Sequence, residues 1–269
     1  MLKKRKGQLT LFIIIAIVIF IITLIYFYLQ VNYPPEKTYD PKVEVLKENL
    51  QDCFKETYST SLNIIGYQGG YLNVPDPKVE VPLYYFSFNI PYYYYEGNLY
   101  TPTIEKIEAQ TEEIILPGVK SCLEQYKTSI TNKSNINDLS YDNFNIDVKI
   151  KEEEVIFTNN LKLTVHYDNK SVIVDFEKTP ITIPSDIYDM HEIASFIANY
   201  LEKNNEWIPF DNIVELSREH NLYIDLANSE DGYYNSVTIK TPREGYYPEV
   251  FQFNNKYSFD DLEEVLPLV

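Results

Sequence analysis

Residues 9–29 read LTLFIIIAIVIFIITLIYFYL, and no charged side chain occurs between Lys6 and Glu36. At about 1.5 Å of rise per residue, a helix over this stretch reaches roughly 31 Å, the thickness of a bilayer's hydrocarbon core. Only a helix satisfies its own backbone polar groups in lipid, so the stretch is expected to form one transmembrane helix over residues 9–30. Lys3, Lys4, Arg5 and Lys6 precede it. By the positive-inside bias, residues 1–8 are then a cytoplasmic basic tail and everything beyond residue 30 is extracellular. The expected location is the cell membrane, with the lipid bilayer as partner through residues 9–30.

Residues 31–41 are expected to form a polar, Pro-containing tether, because Pro34-Pro35 favours an extended path. The formal charge of the chain is −17, and without the four N-terminal basic residues it is −21. So acidic a head repels polyphosphate, which excludes nucleic acid as a partner. Tyr is abundant at 25 residues while Gly numbers 8, a mixture that an AT-rich coding bias also produces.

Two Cys are present, Cys53 and Cys122. An even pair outside the cytoplasm reads as a disulfide, and no C-x-x-C spacing suggests metal or redox chemistry. Asn132-Lys133-Ser134 and Asn169-Lys170-Ser171 are Pro-free sequons, which makes Asn132 and Asn169 candidate glycosylation sites.

From Lys42 the apolar period becomes helical. Val43, Leu46, Leu50, Cys53, Thr57 and Ser61 share a stripe that ends near Gly66. Two Pro-broken apolar runs follow, and Pro82 and Pro91 mark them as edge strands or hairpin arms. A third helix is expected from about Thr101 to Tyr126, kinked or split at Pro117-Gly118. Residues 42–130 are thus expected to be a disulfide-clasped α/β subdomain.

The Asn- and Ser-rich stretch at 131–142 is the expected internal boundary. Beyond it Phe144, Ile146, Val148 and Ile150 alternate, followed by three more such runs to Phe176, which suggests a meander of four antiparallel strands. A helix capped by Ser185, a second from about Pro209 to His220, and further strands complete residues 131–269. Segregated elements of this kind give an α+β class: one transmembrane helix followed by a two-part extracellular α+β ectodomain with antiparallel sheets.

The run KKRKGQLTLF resembles the class III signal sequence of archaeal type IV pilin-like proteins. In that family a basic stretch ends in Gly, cleavage follows it, and Gln opens the mature apolar helix. The resemblance covers the first 30 residues or so and implies processing between Gly7 and Gln8 and self-association of the apolar helices in a filament. Phe12 stands where the family usually carries Glu. The remainder is similar to anchored surface proteins of archaea.

Chemistry-bearing patterns are sparse. His191-Glu192 begins like a zinc-protease motif, but Ser195 occupies the position of the second His. Acidic runs such as Glu152-Glu153-Glu154 lack the oxygen spacing of an EF-hand loop. There is no G-x-S-x-G, G-x-G-x-x-G or Walker loop. No catalytic residue, cofactor or metal ligand is therefore assigned, and the chain is expected to be non-enzymatic. Tyr71, Tyr92, Tyr93, Tyr94 and Tyr95 are the candidate contact surface, since alternating rings on an open hairpin would stack on sugars or a partner. The expected function is that of a single-pass cell-surface protein with a structural or recognition role. The alternatives are a pilin-like filament subunit, a glycan- or peptide-binding module, and an envelope hydrolase. Self-association and other envelope proteins are the further partners.

Overall fold

A computed structural model describes residues 5–32, 39–82, 87–130, 136–167, 169–204, 210–228, 234–242 and 249–256. The chain divides into two units, residues 1–45 and residues 46–269.

The first unit contains helix α1, Arg5–Asn32. Its described apolar side chains from Ile14 to Tyr26, together with Tyr28, are all exposed. Among the described residues no helix is long and apolar enough to cross a membrane. This corrects the fold class expected from residues 9–30: an α+β chain rich in antiparallel sheet remains, without the transmembrane element.

Helix α2, Pro41–Tyr67, starts where the Asp40 carboxylate accepts from the Lys42 N–H at 3.1 Å, an N-cap. Its buried stripe is Leu46, Leu50, Phe54, Tyr58, Leu62 and Ile65. Of the expected stripe, Leu46 and Leu50 belong to it and Val43 and Ser61 are also buried, whereas Cys53 and Thr57 are half-buried because Phe54 and Tyr58 take the inner positions. Helix α3, Ile104–Ile130, continues through Pro117 as one element and is not split. The disulfide Cys53–Cys122 joins α2 to α3, with Cα atoms 6.1 Å apart. One turn away on each helix, a Cβ on Gly118 would lie 2.4 Å from Thr57 Cγ2, so the two helices approach where no side chain intervenes.

Strands β1 (Lys78–Pro82), β2 (Ser87–Tyr95), β3 (Asn98–Leu99), β10 (Tyr223–Asn228), β11 (Tyr234–Lys240) and β12 (Val250–Lys256) form one sheet. Its order is β1-β2-β12-β11-β10, with β3 paired to β2. The contact between β2 and β12 is parallel and the others are antiparallel. One expectation is corrected by this sheet: the boundary at residue 131 does not separate two bodies, since β12 from the C-terminal part pairs with β2 from the N-terminal part. The Pro-broken runs are placed as expected, β1 with Pro82 as an edge strand and β1 and β2 as antiparallel hairpin arms. Pro91 lies in the inner arm, opposite Lys78 of β1, and the pairing with β12 begins only at Tyr92, one residue beyond the missing N–H.

The four strand patterns between residues 144 and 176 are present, but the meander is not. Strands β5 (Ile146–Lys151), β6 (Glu154–Asn159) and β9 (Ile181–Pro184) make one three-stranded sheet. Strands β4 (Ile136–Tyr141), β7 (Lys162–Tyr167) and β8 (Lys170–Asp175) make another. Strand β6 pairs with β9 and β7 with β4, so the chain changes sheet at Asn160-Leu161. The free edge of β5 is covered by α3: Glu112 accepts from the Val148 N–H at 3.1 Å, and Glu108 from the Ile150 N–H at 2.9 Å. Carboxylates one turn apart on a helix match alternate N–H groups on a strand edge, which stops further strand pairing there. Tyr58 stacks on Phe157 at 4.3 Å between ring centres and donates to Asn159 Oδ1 at 2.7 Å, tying α2 to β6.

Candidate functional site

Helix α4, Ile187–Asn204, and helix α5, Phe210–Glu219, frame two adjoining cavities. The start of α4 is held by four hydrogen bonds. Ser185 Oγ accepts from the Ile187 N–H at 3.2 Å. Glu249 accepts from Ser185 Oγ and, at 2.8 Å, from the Asp186 N–H. The Ser185 N–H donates to Glu153 O at 3.0 Å. A carboxylate at a helix N-terminus is favourable, and here it also fixes α4 beside the β5–β6 turn at Glu152-Glu153. Helix α5 ends with Leu222 N–H donating to Ser217 O at 2.9 Å and Asn221 at a φ of +52°, which leaves His220 facing α4. His220 Nδ1 lies 3.2 Å from Asp189 Oδ2.

The result is a cleft in two adjoining parts that share Glu192 and His220. One, of about 430 Å³, is walled by Ile104, Tyr188, Ile193, Phe196 and Leu216, with His191, Ser195 and Asn199 among its polar groups. The other, of about 560 Å³, is walled by Glu152, Glu153, Asp186, Asp189, Glu192 and Glu219 around Pro184 and His220. No Lys or Arg lines either among the described residues. The Glu192 carboxylate, bonded to the Tyr188 hydroxyl, holds that phenol above its ordinary pKa.

His191 is the one His that is buried, 8% exposed. Its Nε2 lies 2.7 Å from Pro102 O and 3.3 Å from Ser195 Oγ. A carbonyl only accepts, so Nε2 carries the proton and donates it to Pro102. Ser195 therefore faces an N–H where nucleophilic activation would require a lone pair, and the pair is no Ser–His dyad. Burial lowers the His191 pKa, the contact with Pro102 and the nearby Glu192 and Glu105 opposing it. Among the described residues no group of three or more His, Cys, Asp or Glu is arranged to hold a metal ion.

The residues singled out in the sequence lie elsewhere. Cys53 and Cys122 are at disulfide distance between α2 and α3. Gly7 and Gln8 fall in the first turns of α1. Asn132 lies outside the described residues; Asn169 is exposed at the turn between β7 and β8, with a φ of +60°.

The Tyr cluster is placed differently from expectation. Tyr71, Tyr92, Tyr93 and Tyr94 are buried, at 2%, 8%, 0% and 1% exposure, and Tyr95 is half-buried. Neighbouring strand residues point to opposite faces, so consecutive buried positions mean that β2 is covered on both. An open hairpin arm would have alternated. Tyr93 stacks on Phe253 at 4.7 Å and donates to Gly69 O at 2.9 Å, while Tyr71 donates to Tyr100 O. Burial raises the Tyr93 pKa well above its usual value and brings Tyr71 to about 12.

The cleft was not legible beforehand. Its carboxylates come from a strand turn and two helices, and no spacing in the chain links Glu152 to Asp189 or Glu219. No known protein family, curated protein or solved structure matches this chain.

Proposed function

We propose that the chain is a non-enzymatic cell-surface protein with a structural or recognition role, its apolar helix α1 bedded in lipid and its acidic α+β head presented to the exterior. One observation carries this reading. Twelve large apolar side chains of α1, from Ile14 to Tyr28, are 46–67% exposed on all sides of the helix. The largest apolar patch of an ordinary monomer is roughly 300–600 Å² and confined to one face, and a helix apolar all round is stable only when an apolar medium or partner surrounds it. Crossing of the bilayer is no part of the reading; burial of these side chains is. The acidity of the head, its disulfide and the exposed sequon at Asn169 agree with an exterior location.

Protease applied to intact cells tests it. The fragment carrying Cys53 and Cys122 should be cut away while cytoplasmic proteins stay whole. Survival of that fragment until the cells are lysed would overturn the exterior location. Cross-linking of α1 to copies of itself, with no fraction in lipid, would instead favour the filament reading that Gly7 and Gln8 suggest.

A further inference from the structure

We propose that the cleft between α4 and α5 is a docking site for a cationic peptide segment that carries an apolar or aromatic side chain next to its basic ones. The proposal goes beyond the placement of α1 and does not depend on it.

In the apolar half, Phe196 is 37% exposed although it sits in the middle of α4, and Ile104, Ile193 and Leu216 line the wall beside it. This apolar surface remains in water after the head has folded, which disfavours the bare cleft and favours an apolar side chain entering it.

The acidic half chooses the occupant. Six carboxylates surround it and the one basic group there, His220, is already in contact with Asp189. Clefts lined by one sign of charge concentrate counter-ions and attract ligands of the opposite sign. An anionic or phosphorylated partner is repelled, and a neutral sugar gains nothing from the charges. A free metal ion is a poor match, because no three of these groups converge as ligands. A basic peptide satisfies both halves: its ammonium or guanidinium groups meet Glu152, Glu153, Asp186 and Glu219, while an adjoining Phe or Leu enters beside Phe196. Shared lining at Glu192 and His220 puts the two requirements side by side, within reach of neighbouring residues of one extended segment.

The positions of these groups also make the site a fixed one. Glu249 anchors the first turn of α4 and the Glu153 carbonyl accepts from Ser185, so the β5–β6 turn and α4 are held in register before any ligand arrives. Such preorganisation lowers the ordering cost of binding.

Fluorescence anisotropy of the labelled pentapeptide Lys-Lys-Phe-Leu-Lys against the full chain in non-ionic detergent tests the proposal. Saturable binding should weaken about tenfold or more in Glu192→Gln/Glu219→Gln, and severalfold in Phe196→Ser. It should survive in Glu215→Gln, an acidic position on α5 outside the cleft. Raising salt from about 50 to 500 mM should weaken binding to the native chain more than to the double variant. A matching pentapeptide with Gln for each Lys should not bind. Thermal melts of each variant separate loss of binding from loss of fold, since Glu192, Glu219 and Phe196 are all exposed. Absence of saturable binding, equal binding by all variants, or loss in Glu192→Gln/Glu219→Gln with none in Phe196→Ser would each overturn the proposal.

Discussion

Helices α1 and α2 are nearly equal in length, 28 and 27 residues, and opposite in how they settle their apolar side chains. Helix α2 is amphipathic: every four residues or so it turns Leu46, Leu50, Phe54, Tyr58 and Leu62 into the core, and charged positions such as Glu48, Asp52 and Lys55 face water. Helix α1 is apolar all round, and its described side chains are exposed. The difference shows that apolar content alone does not place a helix in a core. A core takes one stripe and needs the other faces to be soluble.

The contrast is broken most easily on the α2 side. Phe54→Ala removes a ring that is fully buried and meets Phe176 at 5.5 Å between centres. It should cost about 3–5 kcal/mol of unfolding free energy, read by denaturant titration of the head. Replacing Cys53 and Cys122 by Ser together should cost about 4 kcal/mol by the chain-entropy estimate for a closure of 69 residues, read in the same titration. Glu108→Gln keeps the shape but weakens the bond to the Ile150 N–H, and should cost about 1–2 kcal/mol. If it costs nothing, α3 does not guard the edge of β5 in the way described.

Alkali offers a gentler probe of the same core. Tyr58, Tyr71 and Tyr93 have pKa values raised by burial, so the folded head holds their protons where the unfolded chain, near pH 10, releases them. Their contribution is complete below about pH 10 and is lost as pH rises through the folded values, about 12 for Tyr71. Stability should be flat from neutral pH to about 10 and fall beyond it. A fall that begins near pH 8 would show that these rings are not the groups responsible. The smallest effect on the head belongs to α1: Ile15→Asp, Ile19→Asp and Ile22→Asp combined should change its stability by less than about 0.5 kcal/mol.

Much of the secondary structure was legible because it rests on local rules. The helical period located α2, Ser185 marked the start of α4, and alternation placed β5 through β8. Pairing was not legible, because it rests on which edges meet. Nothing local says that β6 prefers β9 to β7, or that β12 returns to lie parallel to β2 just past Pro91. The buried Tyr residues were misread for the same reason, since a run of four rings on a strand reveals neither face's cover. The roles of Glu108 and Glu112 could have been suspected from their four-residue spacing, which fits alternate donors of a strand; the identity of the strand could not. The cleft is furthest from sequence, assembled from the turn at Glu152-Glu153, the first turns of α4 and the end of α5.

Flotation of the purified full chain with phosphatidylcholine vesicles, beside the Ile15→Asp/Ile19→Asp/Ile22→Asp variant, tests most directly the claim that α1 is settled by lipid and the head by its own core. The native chain should rise with the vesicles and the variant should stay behind by at least tenfold, with both heads melting alike. Equal flotation of the two, or a native chain that remains at the bottom of the gradient, would contradict it.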